Sequence, residues 1–124
     1  MQRTAQPKVV IGTLTKLEIH PSNLEGIPQR EYYFEIESSE GDFVQEWIPI
    51  TPGEEGENVT RKSILDLYLQ LIFSVFPEAK NFVEHQEVFQ YLKDKRLKWV
   101  RKPLGEQIKD IPPRLYYIPQ KVDA

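Results

Sequence analysis

The 124-residue chain has no cysteine, only two histidines and no long apolar run. Without cysteine it cannot form a disulfide, a thiolate nucleophile or a sulfur-ligated zinc site. A membrane span needs about 18 apolar residues, and no apolar stretch of the sequence is nearly that long. The N-terminal residues lack the apolar core of a secretory signal. We therefore expect a cytoplasmic protein with a flexible tail over residues 1–7 and a single domain over residues 8–122.

Motifs for catalysis or for metal binding are also lacking. His20 and His85 lie far apart, and neither has a second histidine or a paired carboxylate at ligand spacing. The serines lie at predicted turns and helix starts, and no Gly-x-Ser-x-Gly elbow occurs. Glu35 and Glu37 share a strand face, but nothing in the sequence indicates that they are desolvated, so they are expected to serve as solvated charges. The sequence therefore predicts a protein that is not an enzyme and has no cofactor or metal.

Charge is distributed unevenly, although the net charge is only −3. Residues 18–57 contain eleven carboxylates and one base, Arg30, whereas residues 91–124 contain nine bases and four carboxylates. Such a split can steer a charged partner or pair the molecule with a copy of itself, or it can simply be solvated surface.

Five segments have the alternating apolar pattern and the β-branched or aromatic content of strands. They are Lys8–Ile19, Arg30–Glu37, Phe43–Ile50, Arg96–Lys102 and Arg114–Val122. In the first, every second residue from Val9 to Ile19 is apolar or threonine, and Gly12 predicts a bulge or a sharp bend. The third has an ambiguous parity, because Val44 and Ile48 compete with Phe43 and Trp47. Pro49 and Pro119 lack an N–H group and so predict that the third and last strands lie at sheet edges.

Two helices are predicted between the third and fourth strands. Thr60 can cap a helix that runs to Phe76 with apolar residues at helical spacing, and Pro77 ends it. A shorter helix is predicted over residues 84–94.

The order strand, strand, strand, helix, strand, strand resembles that of small OB-fold proteins, including the single-strand-binding kind of phages and plasmids. The resemblance covers about residues 8–122 and concerns architecture alone. It implies a mainly β protein: a partly open five-stranded barrel with an α-helix between strands three and four, which binds a ligand without catalysis. The alternative is an α+β sheet with both helices on one face.

The basic C-terminal part suggests where a single-stranded nucleic acid could bind. Cations hold the phosphate backbone and an aromatic ring stacks on a base. The residues predicted to take part are Arg96, Lys98, Arg101, Lys102, Arg114 and Tyr116. Since neighbouring strand residues face opposite sides, one of Tyr116 and Tyr117 is expected to be exposed or half-covered. Trp99 alternates with Leu97 and is predicted to lie in the core.

Carboxylates on the second and third strands argue against the usual binding face of such barrels. Glu31, Glu35, Glu37 and Glu46 would repel a phosphate backbone there. The alternative function is a protein–protein interaction or self-assembly module that uses complementary acidic and basic faces. The candidate partners are thus a single-stranded nucleic acid, another protein or a second copy of the chain, with no membrane role.

Overall fold

The protein is described by a computed structural model that covers residues 6–22, 29–50, 54–56, 59–61, 64–105 and 113–122. Within these ranges the strands are β1 (Val9–Ser22), β2 (Gln29–Ser38), β3 (Phe43–Ile50), β4 (Glu54–Gly56), β5 (Val59–Arg61), β6 (Arg96–Pro103) and β7 (Leu115–Gln120). The helices are α1 (Ile64–Val75) and α2 (His85–Leu92), with a 3-10 helix over Pro77–Asn81 between them. No helix in the described ranges is long and apolar enough to cross a membrane.

Five strands form one antiparallel sheet in the order β3-β2-β1-β6-β7, which confirms the five strands predicted from the sequence. The outermost strands, β3 and β7, carry Pro49 and Pro119, so the predicted edge positions are confirmed. This order, with α1 preceding β6, is compatible with an OB-like architecture. Among the described residues no backbone ladder joins β3 to β7.

The core lies on one face of this sheet, here called the inner face; the opposite face is the outer face. Phe34 of β2 is fully buried on the inner face, within 6.0–6.4 Å, ring centre to ring centre, of Tyr68, Phe89 and Trp99. The indole N–H of Trp99 donates to the carbonyl of Gly12 at 3.1 Å, so its one polar atom is satisfied. The predicted burial of Trp99 is confirmed.

A β-bulge changes which residues of β1 face the core. The bulge lies between Leu14 and Lys16, where the register with β2 shifts by one residue. Before it, Val9 and Ile11 lie on the outer face and are 45% and 37% exposed. After it, Leu17 pairs with a core residue of β2. The sequence suggests that every second residue from Val9 to Ile19 faces the same side. Because the bulge adds one residue, the members of this set before it and those after it face opposite sides of the sheet.

Gly12 does not lie in the bulge, and it is needed for another reason. A Cβ atom at this position would lie 2.3 Å from the carbonyl oxygen of Glu37 in β2. Only glycine permits so close an approach of the two backbones.

The predicted first helix is correct in its periodicity but not in its start. Buried Leu65, Tyr68 and Ile72 follow the three- and four-residue spacing of an amphipathic helix. The helix begins at Ile64, however, since Thr60 pairs with Glu55 in the β4–β5 hairpin and cannot cap it. The alternation in the sequence does not predict this short hairpin. The second helix, α2, is confirmed but shorter than predicted.

Candidate nucleic-acid interface

Three of the predicted cations lie together on the outer face of β6. Leu97 and Trp99 point into the core, so Arg96, Lys98 and Lys102 take the opposite side of the strand. These three residues are called the basic row. All three therefore lie on the same face of β6.

Uncharged side chains flank the basic row on both neighbouring strands. The outer-face residues that pair with β6 are Val9, Ile11 and Thr13 on β1, and Tyr116, Ile118 and Gln120 on β7. Residues 95–105 and 113–122 contain no aspartate or glutamate. The positive potential of the row is therefore not cancelled by carboxylates of its own strand or of β7.

An open cleft of about 430 Å³ lies beside Arg96, at the end of the basic row. Its lining residues are Gly12, Thr13, Thr15, Glu37, Ser38, Ser39 and Arg96. The cleft offers hydroxyl groups and one carboxylate next to a guanidinium, and it is the place where the row approaches the acidic part of the sheet.

The expectation that one of Tyr116 and Tyr117 is exposed or half-covered is wrong, because both residues are buried, at 4% and 0% exposure. Tyr116 pairs with Lys102 on the outer face, but the Arg114 guanidinium lies 5.0 Å from its ring centre. Tyr117 points to the inner face, and its hydroxyl donates to the carbonyl of Pro7 at 2.7 Å. Neither ring presents an open surface on which a base could stack.

Arg101 and Arg114 lie outside the basic row. Arg101 shares the parity of the core residues, its guanidinium lies 5.6 Å from the Tyr117 ring centre, and its Nε is buried with no hydrogen-bond partner among the described residues. Arg114 precedes β7 and lies 3.6 Å from a carboxylate oxygen of Glu46. The six predicted residues thus divide into the basic row and a second group around the two tyrosines.

The sequence predicts Glu46 on the same surface as Glu31, Glu35 and Glu37, and this prediction is wrong. It pairs with Phe34 on the inner face and is only 4% exposed. Its Oε2 accepts the Tyr117 N–H at 2.9 Å, and its Oε1 accepts the Trp47 N–H at 3.1 Å. Burial raises the pKa of the Glu46 carboxyl, although these two N–H groups and the Arg114 guanidinium act in the opposite direction. Glu46 shares its parity with Ile48, but Phe43 and Trp47 share the other parity, so only the pairing of β3 with β2 decides which set faces the core.

The other three carboxylates lie on the outer face of β2, as predicted. Glu31, Glu35 and Glu37 are here called the acidic row, and Tyr33 lies between Glu31 and Glu35 on the same face. The Tyr33 hydroxyl donates to Glu35 at 2.6 Å and accepts from the Gln45 side-chain amide at 2.8 Å.

An aromatic group that the sequence did not reveal crosses three strands at Tyr33. His20 of β1 stacks on the Tyr33 ring at 5.1 Å with an interplanar angle of 15°, and Trp47 of β3 lies 5.3 Å away on the other side. Lys16 forms ion pairs with Glu18 at 3.2 Å and with Glu35 at 3.8 Å, which offsets part of the local negative charge. The hydrogen bond and charge of Glu18 raise the pKa of Lys16, and those of Lys16 lower the pKa of Glu18.

The two histidines are occupied by aromatic partners on different faces. His20 stacks on Tyr33, and His85 shares a hydrogen bond with the hydroxyl of the buried Tyr32. In the described part of the chain, no three or more His, Cys, Asp or Glu side chains are grouped so as to hold a metal ion.

Comparison with protein-family models, with curated proteins and with solved structures finds no match to this chain.

Proposed function

We propose that the protein is a non-enzymatic binding module whose basic row holds a single-stranded nucleic acid by its phosphates. The observation that carries the proposal is the position of Arg96, Lys98 and Lys102 on one strand face between two neutral flanks. Lysine and arginine side chains release counterions when they neutralise phosphates, and this effect supplies most sequence-independent affinity.

We propose further that the sheet is curled into a partly open OB-like barrel. Two observations support this architecture: the strand order β3-β2-β1-β6-β7, and the hydrogen bond from the Tyr117 N–H to Glu46, which links the two edge strands. α1 contacts both β3 and β7, and its Tyr68 hydroxyl donates to the Tyr117 carbonyl at 2.5 Å. A helix that touches both edges fits the position of the helix that caps such a barrel.

The burial of Tyr116 and Tyr117 determines what kind of binding to expect. Stacking on an aromatic ring contributes about 1–3 kcal/mol per base in proteins that use it. Since the rings beside the basic row are covered, most of the affinity should come from phosphate contacts. We therefore propose that the protein binds single strands with little preference for sequence and that its affinity depends strongly on salt concentration.

The test is a fluorescence titration at low salt against labelled single-stranded DNA and RNA of about 20 nucleotides, longer than one barrel's footprint. Replacing Lys98 and Lys102 by Glu should abolish binding. Replacing Lys80 and Lys93 by Glu makes the same change in net charge at exposed positions outside β6 and should leave most of the affinity. Equal loss of affinity in both variants, or no binding by the unaltered protein, would refute the proposal.

A protein-interaction or self-assembly module is the second candidate function. The exposed Val9 and Ile11 beside the basic row favour it, because apolar side chains at a charged surface suit a protein partner better than a phosphate backbone.

A further inference from the structure

The acidic row and the basic row have the same pattern with opposite charge. The outer positions of β2 are, in chain order, Glu31, Tyr33, Glu35 and Glu37. The outer positions of β6 are, in reverse order, Lys102, Val100, Lys98 and Arg96. Side chains on one face of a strand repeat about every 6.7 Å. Two such strands laid antiparallel, face to face, would therefore set three carboxylates opposite three cations and the uncharged Tyr33 opposite Val100.

Most of these charges have no ion-pair partner among the described residues. Glu31, Glu37 and the whole basic row lack one, whereas Glu35 is 3.8 Å from Lys16. Removing such charges from water without pairing them costs free energy, so a partner with matching charges is favoured over an apolar one.

The two rows cannot satisfy each other within one molecule. β1 lies between them, and Thr13 is the one position of β1 that pairs with a member of each row, Glu37 on one side and Arg96 on the other. From that level the acidic row continues toward the His20 end of β1 and the basic row toward its Val9 end. The rows diverge, so three opposed charge pairs require two molecules.

We infer that the acidic row of β2 is a docking surface for the basic row of β6 in a second copy of this chain. The contact uses different patches on the two copies, so it is head-to-tail and can repeat into a ring or an open chain. This inference goes beyond nucleic-acid binding but uses the same basic row, so a second copy and an oligonucleotide compete for it. Exposed charge pairs contribute little each and are screened by salt, so the association is weak and is lost as ionic strength rises.

Sedimentation velocity from micromolar to millimolar protein, at low and at high salt, is the first test. The mean mass should increase with protein concentration at low salt and stay at the monomer value at high salt. A monomer at every concentration in low salt would overturn the inference. This measurement uses the unaltered chain and does not depend on any variant folding correctly.

Charge reversal is the second test. One variant carries Glu31→Lys and Glu37→Lys, and the other carries Arg96→Glu and Lys102→Glu; Glu35 is kept because it accepts the Tyr33 hydroxyl. Each variant alone should remain monomeric, since both of its rows then bear mainly one sign of charge. An equimolar mixture should associate as the unaltered protein does, because every reversed row meets a partner of opposite charge. Association of either variant alone, or a mixture that stays monomeric, would contradict the docking.

The same proteins separate this inference from the proposed function. The Glu31→Lys, Glu37→Lys variant keeps the basic row and should bind the oligonucleotide while failing to self-associate. If the unaltered chain self-associates but binds no oligonucleotide, only the proposed function fails. If it binds the oligonucleotide but never self-associates, only the docking inference fails.

Discussion

The carboxylate of Glu46 accepts the peptide N–H of Tyr117 at 2.9 Å, and so a side chain of β3 bonds to the backbone of β7. On the same residue, the Tyr117 carbonyl accepts the hydroxyl of Tyr68 from α1. Both backbone groups of an edge-strand residue are thus satisfied by side chains rather than by another strand. This arrangement explains why a glutamate and a tyrosine hydroxyl are buried at this place, since an unpaired buried N–H or C=O group is costly.

Replacing Glu46 by Leu should lower the free energy of unfolding by about 1–3 kcal/mol, because the buried Tyr117 N–H loses its acceptor. Glu46→Gln keeps one acceptor oxygen and should cost less. Urea denaturation at neutral pH measures both changes. If the leucine variant is as stable as the glutamine variant, the link between β3 and β7 does not contribute as described.

The same carboxylate should make stability depend on pH. Burial raises the pKa of Glu46 above its ordinary value of 4.5, so the folded state holds this proton more tightly than the unfolded state. The contribution of Glu46 to the free energy of unfolding is therefore largest below the ordinary pKa, and it is lost as pH rises through the raised pKa. Relative to Glu46→Gln, the unaltered protein should lose stability over that interval and then reach a plateau. If the unaltered protein instead gains stability relative to Glu46→Gln as pH rises, Arg114 and the two N–H groups outweigh the effect of burial on the pKa of Glu46.

Gly12→Ala should destabilise the protein by about 1–3 kcal/mol, the usual range for forcing an extra methyl group into a packed site. The added Cβ would meet the Glu37 carbonyl oxygen at 2.3 Å, and neither backbone can move without disturbing the β1–β2 ladder. Ser39→Ala at the nearby exposed turn is the control and should change stability by less than about 0.5 kcal/mol. Thermal or urea unfolding compares the two. Equal stability of the two variants would refute the close approach.

The two tryptophans should differ in their access to a soluble quencher. Trp99 is fully buried and Trp47 is half-buried on the outer face. In Trp47→Phe the remaining emission should come from Trp99, at short wavelength, and acrylamide should quench it weakly. Strong quenching in this variant would contradict the core position of Trp99. The unaltered protein supplies the comparison, since its Trp47 adds a quenchable component.

Oligonucleotide affinity should fall with salt along a line whose slope reports the basic row. Three cations that each neutralise one phosphate of a single strand predict a slope of about −2 for log affinity against log salt. Lys98→Ala should reduce the slope by about 0.7, whereas Lys80→Ala should not change it. Titrations at several salt concentrations measure these slopes. A slope near zero would mean that the basic row does not bind phosphate.

Local patterns in the sequence predicted most of the elements. Alternation with β-branched and aromatic residues located the five main strands, and helical spacing located α1 and α2. The missing N–H groups of Pro49 and Pro119 identified the edge strands, and the alternation of β6 separated Trp99 from the basic row. Each of these inferences depends on interactions between residues near in sequence, or on the chemistry of one residue.

Only the tertiary structure decided which face several residues occupy. The bulge after Leu14 divides β1 between two faces, and pairing with Phe34 takes Glu46 inside. Tyr116 alternates with Tyr117 as any strand residues do, yet both are buried, and Arg114 lies over the ring of Tyr116. Alternation along a strand shows which residues share a side, but the packing of distant segments determines what covers each side.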